Sequence, residues 1–159
     1  MSVTPLPDVL KSLQTFLASN ADVAALVSTT AGWTTADPDA PTSGPRVGMV
    51  TGANWRVPST SIKLRRAGGR GQLGAGRHET RVDVWCMGSN ERNAINLWRT
   101  VHAVLCPLTG DGVIGWTAAG CRVTDVVQDA DPIPGDDLEI GWSVVVTPYL
   151  LVWRELPAS

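Results

Sequence analysis

The sequence predicts an α+β protein, with a largely antiparallel sheet, helices packed on one face and a long glycine-rich hairpin loop. Three observations support this. Apolar residues recur at helical spacing in an amino-terminal and a central segment, they alternate with period two elsewhere, and tight-turn residues stand where a parallel sheet would need repeated helical crossovers. The 159 residues are 43% hydrophobic. A chain of that size buries roughly 70% of its unfolded surface, enough for one real core. Residues 1–159 therefore read as one domain.

Asp8, just after Pro7, can cap a helix over about residues 8–19, in which Leu10, Leu13, Phe16 and Leu17 share a face. Asn20 offers a second cap. Asp22 in the first turn, followed by Val23, Ala24, Leu26 and Val27, predicts one short further helix before Gly32. Residues 28–45 hold Pro38, Pro41 and Pro45 and read as an exposed connection.

Arg46–Thr51 and Ser61–Arg66 read as strands, the second alternating Ile62 and Leu64 with Lys63 and Arg65. Between Ala67 and Arg77 come Gly68, Gly69, Gly71, Gly74 and Gly76, with Leu73 the only sizeable apolar residue, too little to form core. This is expected to be a long mobile loop, spanning up to roughly 36–40 Å if extended. A strand over about 79–87, with Thr80, Val82, Val84 and Cys86 on one face, ends at Gly88 and closes a hairpin.

Ser89 or Asn90 then caps the strongest helix. Its stripe of Ala94, Ile95, Leu97, Trp98, Val101, Val104 and Leu105 runs up to Pro107. A turn-rich passage with Gly110, Gly112, Gly115 and Gly120 leads to strands over Cys121–Gln128 and Leu138–Arg154. In the last, Leu138, Ile140, Trp142, Val144 and Val146 are expected to face inward, and Pro148 to bend or end the pairing or lie on an edge. Among the tryptophans, Trp98 and Trp142 fit the core pattern. Trp33 and Trp55 lie in loops, either as contact anchors or tucked onto their own domain.

Motifs for chemistry are weak. Cys86, Cys106 and Cys121 form no CxxC pair and read as buried small hydrophobes, and neither His78 nor His102 has a second ligand at i+4. Gly69-Arg70-Gly71-Gln72-Leu73-Gly74 matches GxGxxG, but a dinucleotide site needs a helix directly behind the motif, and a strand pattern follows here. There is no Lys-Ser or Lys-Thr of a P-loop and no GxSxG elbow, and His102 beside Trp98 reads as a structural histidine. The expectation is no catalytic residue, no cofactor and no metal. The amino terminus lacks a signal-peptide pattern and nowhere do eighteen apolar residues follow one another, so synthesis in the cytoplasm and no membrane partner are expected.

Charge is segregated along the chain, although the net charge is only -2. Arg46, Arg56, Lys63, Arg65, Arg66, Arg70, Arg77 and Arg81 face only Glu79 across residues 46–81, a local +7. Asp125, Asp129, Asp131, Asp136, Asp137 and Glu139 have no Lys or Arg among them. Opposite poles on one chain suit head-to-tail contact between copies that closes a ring. On this reading Lys63, Arg65, Arg66, Arg70 and Arg77 contact a neighbour or a partner, and Asp129, Asp131, Asp136 and Asp137 are the complement. A solvated hairpin and a non-specific nucleic-acid surface are the rival readings.

The stretch Arg81-Val82-Asp83-Val84-Trp85-Cys86-Met87-Gly88-Ser89-Asn90-Glu91-Arg92-Asn93-Ala94, a strand passing through a short polar turn into an amphipathic helix, resembles the tail terminator (tail completion) proteins of long-tailed bacteriophages. The leading helix, Asp22-Val23-Ala24-Ala25-Leu26-Val27, the Pro-rich connection, the strand pair with its long loop and a closing strand through Trp153-Arg154-Glu155 follow the same order, over about residues 6–155. The resemblance implies a non-catalytic virion protein at the head-tail junction. It implies a ring of six copies that caps the tail tube, ends tube polymerisation and offers a surface to head-tail connector proteins. It further implies that loop 67–77 faces the tube protein or a neighbouring subunit around a lumen that passes DNA. Gly44-Pro45-Arg46-Val47-Gly48, without an aromatic beside the proline, and a segment around Trp116 depart from many relatives. A neck or head-completion connector and a small nucleotide-binding protein are the alternatives.

Overall fold

The computed structural model describes residues 5–27, 46–48, 60–69, 71–72, 76–107, 114–137 and 142–157, with the side chains of 71, 72, 136, 137 and 142 left out. Two helices open the chain, α1 (Val9–Ser19) and α2 (Ala21–Leu26). The Asp8 carboxylate accepts the Leu10 amide at 3.0 Å. Asn20 both ends α1, its amide donating to the Leu17 carbonyl, and starts α2, its side chain accepting the Asp22 and Val23 amides. One residue thus satisfies orphan groups of two helices and sets the corner between them.

Strands β1 (Val47–Gly48), β2 (Ser61–Arg66), β3 (Gly71–Gln72) and β4 (Arg77–Gly88) follow, then α3 (Glu91–Leu105), β5 (Trp116–Ala118), β6 (Cys121–Gln128), β7 (Ile133–Asp137) and β8 (Trp142–Glu155). They form one sheet in the order β1-β2-β4-β8-β6-β5, with β3 added to β4 and β7 to β8. Every pairing is antiparallel except β1 with β2. This is the expected α+β fold.

The helices cover one face. Val9, Leu13 and Leu17 of α1, Val23 of α2 and Ala94, Leu97, Val101 and Leu105 of α3 share a core with Ile62, Leu64, Val82, Val84, Cys86, Tyr149, Leu151 and Trp153. Each fully buried aliphatic side chain contributes about 1.5–3 kcal/mol. Two polar contacts tie α1 to opposite edges of the sheet: Gln14 Nε2 donates to the Val47 carbonyl at 2.8 Å, and Trp116 Nε1 donates to Ser12 Oγ at 3.0 Å. Phe16 stacks on the Trp116 indole with centroids 4.2 Å apart. Trp116, which lies in the passage read as turn-rich, is a buried strand residue.

Three expectations need correction, wholly or in part. The closing strand faces the other way. Val145, Thr147, Tyr149, Leu151 and Trp153 stand opposite Cys86, Val84, Val82, Thr80 and His78, on the helix side, so Val144 and Val146 belong to the second face. Trp142 shares the register parity of Val144, while Leu138 and Ile140 lie outside the described residues.

Pro148 does not lie on an edge and does not end β8, although the pairing on one side of the strand does end beside it. The strand runs through it between β4 on one side and β6 and β7 on the other. Pairing with β7 reaches Val146 and pairing with β6 begins at Tyr149, so the missing N–H falls at the changeover between partners. The Pro148 carbonyl, which points the same way, accepts the Asp129 amide at 2.9 Å.

The glycine-rich segment is not wholly a free loop. The Ala67 amide donates to the Arg81 carbonyl and the Arg81 amide to the Gly68 carbonyl, both at 2.9 Å, and Gly71–Gln72 rejoin β4 as β3. Five steps from Arg66 to Gly71 face three from Val82 to Glu79, a two-residue bulge. At its centre Gly69 has φ +129°, and a Cβ there would overlap the Glu79 carbonyl oxygen. Gly69, the first of the GxGxxG letters, therefore serves a close backbone approach within a sheet. Arg70 and residues 73–75, like Trp33 and Trp55, lie outside the described residues.

Candidate functional site

The second face of the sheet carries no helix among the described residues, and its side chains follow from strand parity. Lys63 and Arg65 project from β2, and Arg77, Glu79, Arg81, Asp83, Trp85 and Met87 from β4. Val144, Val146, Leu150, Val152 and Arg154 project from β8. At one end Met87 and Val144 are buried against Trp85 and Val146, a small cluster separate from the main core. Ile133 of β7, opposite Val146, is 64% exposed, and Val127 of β6, opposite Leu150, is 47% exposed. Met87, Val144 and Val152 are buried and Trp85, Val146 and Leu150 half-buried, so the exposed apolar area of this face lies at Ile133 and Val127, a surface rather than a pocket.

Lys63 lies over the Trp85 ring, its Nζ 5.4 Å from the centroid. That cation–π contact holds a basic group beside the small apolar cluster. Arg65 stands in register with Asp83 across β2 and β4. Arg66, at the end of β2, is exposed. Arg77 begins β4 and is exposed, about twenty ångströms by strand rise from the register position of Arg65. The expected basic set is therefore dispersed: Lys63 and Arg65 stand toward one end of this face and Arg77 at the other, Arg66 stands opposite Val82 with the parity of the helix side, and Arg70 lies outside the described residues.

The acidic set runs from the β6–β7 connection to the far end of β7. Asp129 and Asp131 are exposed in the connection, and Asp136 and Asp137 close β7. Asp129 has a partner in its own chain: Arg81 Nη1 lies 3.5 Å from its Oδ2, and Arg81 Nε lies 3.9 Å from Asp83 Oδ1. Poles that are separate along the sequence thus meet in space at Arg81. Both groups of the Arg81–Asp129 pair are about two-fifths exposed, so solvent screens it strongly.

The titratable groups on the helix side have structural surroundings. His102 Nδ1 lies 2.9 Å from the Tyr149 hydroxyl, and burial holds its pKa below the ordinary value. His78 stacks on Trp153 at 4.3 Å, with Nε2 3.1 Å from Glu155 Oε1, while Trp153 Nε1 donates to Thr80 Oγ1 at 3.1 Å. Burial raises the thiols of Cys86 and Cys106, Asp125 adding to the effect at Cys106. Burial, with Asp8 and Glu155, pushes Cys121 up to about 11. Thiols held protonated in this way are poor nucleophiles. Among the described residues no group of three or more His, Cys, Asp or Glu could hold a metal, and no helix is long and apolar enough to cross a membrane.

The sequence reading missed the apolar half of this face, Trp85, Val144, Val146 and Ile133, and the arginines Arg122 and Arg154. A signal existed for β8: Arg154 and Pro148 share the parity of Val144 and Val146, and a charged residue at that parity marks it as the outward one.

No family model and no curated protein matches the chain. Among solved structures, it is similar to a chain in the virion of a native gene transfer agent particle. The match covers 92% of this chain and 94% of the other, with a TM-score of 0.58 at 10% identity. At that identity the likeness is one of fold.

Proposed function

We propose that this protein is a structural component of a phage-like virion, placed at the head-tail junction, where six copies form a ring. The ring caps the tail tube, stops further tube polymerisation and offers the surface that head-tail connector proteins engage. Its work is done by interfaces, without catalysis or a cofactor. The observation that carries this reading is the near end-to-end match of fold with a chain from a gene transfer agent virion. The order of elements that resembles tail terminators supports the finer assignment, and so do the exposed Ile133 and Val127 on a sheet face that also carries Lys63, Arg65 and Arg81. Exposed ion pairs contribute about 0–1 kcal/mol each, so charge sets register while exposed apolar area at Ile133 and Val127 helps hold the copies together. Loop 67–77 and the basic residues near it meet the tube protein, a neighbour or, non-specifically, DNA in the lumen.

Electron microscopy of particles made with and without the chain tests the assignment. Loss of the protein should give tails of uncontrolled length that fail to join filled heads. Unstable filled heads with normal tails would place it instead on the head side of the neck, and uniform tails joined to heads would end the proposal.

A further inference from the structure

Three arginines stand side by side across the central strands. Arg77 of β4 is opposite Arg154 of β8, and Arg154 is in turn opposite Arg122 of β6. All three point away from the helices, since their neighbours His78, Trp153, Cys121 and Val123 are buried on the helix side. The row continues to Thr117 of β5, whose Oγ1 accepts from Arg122 Nη1 at 3.1 Å. None of the three arginines forms an ion pair among the described residues. The nearest acids by register, Glu79 and Asp125, lie one row further along the same face, on either side of Val152.

Like charges directly opposite on paired strands destabilise a sheet, and here the opposition is repeated over two adjacent pairs. Folding alone gives no reason for three guanidinium groups in one line. Each offers a fork of donors suited to carboxylates, so the row is built for an anionic partner.

The chain carries its own complement. Residues 129–139 hold Asp129, Asp131, Asp136, Asp137 and Glu139 with no Lys or Arg. Within one copy the described part of that segment does not reach the row. The β7 register places Ile133–Asp137 against Trp142–Val146 of β8, eight to twelve residues from Arg154 and roughly 26–40 Å along the same strand, and the Asp129 amide bonds the Pro148 carbonyl, six residues and roughly 20 Å from it. A patch and its complement fixed at opposite ends of one sheet meet only between copies, and repetition of that contact is head-to-tail.

We propose that Arg77, Arg122 and Arg154 form the receiving site for the acidic β6–β7 segment of a second copy, with Asp131, Asp136 and Asp137 as the incoming carboxylates. This rests on the ring reading above and replaces most of the basic set read from sequence with residues that only the sheet brings together. Asp129, held by Arg81, positions the acidic turn for the contact.

The test is sedimentation of the full chain at low and high salt, beside the Arg122→Gln/Arg154→Gln double variant and the Asp131→Asn/Asp136→Asn/Asp137→Asn triple variant. The wild type should self-associate most tightly at low salt, and each variant should weaken association about tenfold or more, as truncating one side of an interfacial charge set does. The arginine variant should melt at or above the wild-type temperature, because a repulsion has been removed, so weaker association cannot be blamed on misfolding. Arg154→Glu mixed with a chain carrying Asp136→Arg should recover association. Undiminished assembly of the arginine variant overturns the inference and leaves the ring reading standing. A wild type that stays monomeric, alone and on tail tubes, overturns both. Undiminished assembly with loss of binding to a duplex DNA probe would assign the row to phosphate and reject it as a protein contact.

Discussion

The Trp116 indole N–H donates to Ser12 Oγ at 3.0 Å, a buried bond between residues 104 positions apart that joins the first helix to the edge strand β5. Ser12 is fully buried and Trp116 nearly so, so neither group has water to fall back on. Ser12→Ala should therefore cost about 1–3 kcal/mol, the price of an orphaned donor, and Ser12→Thr should restore part of it. Urea denaturation followed by tryptophan fluorescence measures this. A loss near zero would show that Phe16 stacking alone anchors the helix.

Gly69→Ala tests the bulge. The added methyl group meets the Glu79 carbonyl and the Thr80 Cα in a backbone conformation that L side chains rarely adopt. The expected loss is about 1–3 kcal/mol. Hydrogen exchange should show faster exchange at Ala67 and Arg81, whose amides close the ladder there. Gly68→Ala, with open space around the new Cβ, should clash with nothing and show the cost of positive φ alone.

The His102–Tyr149 pair predicts a pH dependence. Burial lowers the folded pKa of His102 below 6.5, so below that pH the unfolded chain takes up more protons than the folded one. Its contribution is fully present above pH 6.5 and is lost as pH falls from there through the lower folded value. Thermal melts across this window should fall with acid in the wild type and fall less steeply in His102→Gln. Equal slopes would remove His102 as the cause.

Ile133→Asp probes the exposed apolar area. The side chain is 64% exposed in the isolated chain, so stability should change by no more than about 0.5 kcal/mol. If copies meet through this face, assembly should fall sharply, because a charge would then be buried in the contact. Normal assembly of a normally stable variant would show that this area stays in solvent.

Charge reversal at Arg66 and Arg70 addresses the hairpin. If this end of the basic set meets a partner, Arg66→Glu/Arg70→Glu weakens assembly, with the largest difference at low salt, where screening is least. Identical assembly at every salt would remove the hairpin from the interface.

Much of the architecture was legible because it depends on local patterns. Asp8, Asn20 and Asn90 cap the three helices as their side chains and positions predict, and the α3 stripe lies on the core. The alternation from Thr80 to Cys86 correctly gives the inner face of β4. The closing strand was misread because both its faces are apolar: Val144 and Val146 look as inward as Val145 and Leu151, and Thr147 at an inward position argues against the true parity. The buried Thr147 hydroxyl has no hydrogen-bond partner, so hydropathy alone would place it outside.

The candidate site was less legible for a related reason. Charge runs along the chain suggested two poles, but strands carry successive residues to opposite faces and pairing brings distant ones together. Arg81 thus joins Asp129, and Arg77, Arg122 and Arg154 come from segments with no common motif. The chain's own residues determined which segments are helical or extended, where they are capped and that no helix follows the GxGxxG letters. Tertiary structure decided which face of each strand meets the helices, how Pro148 fits between two partners and which arginines form a row. The physical reason is that periodicity is a property of neighbours in sequence, whereas register is set by the mutual burial of strands far apart in it.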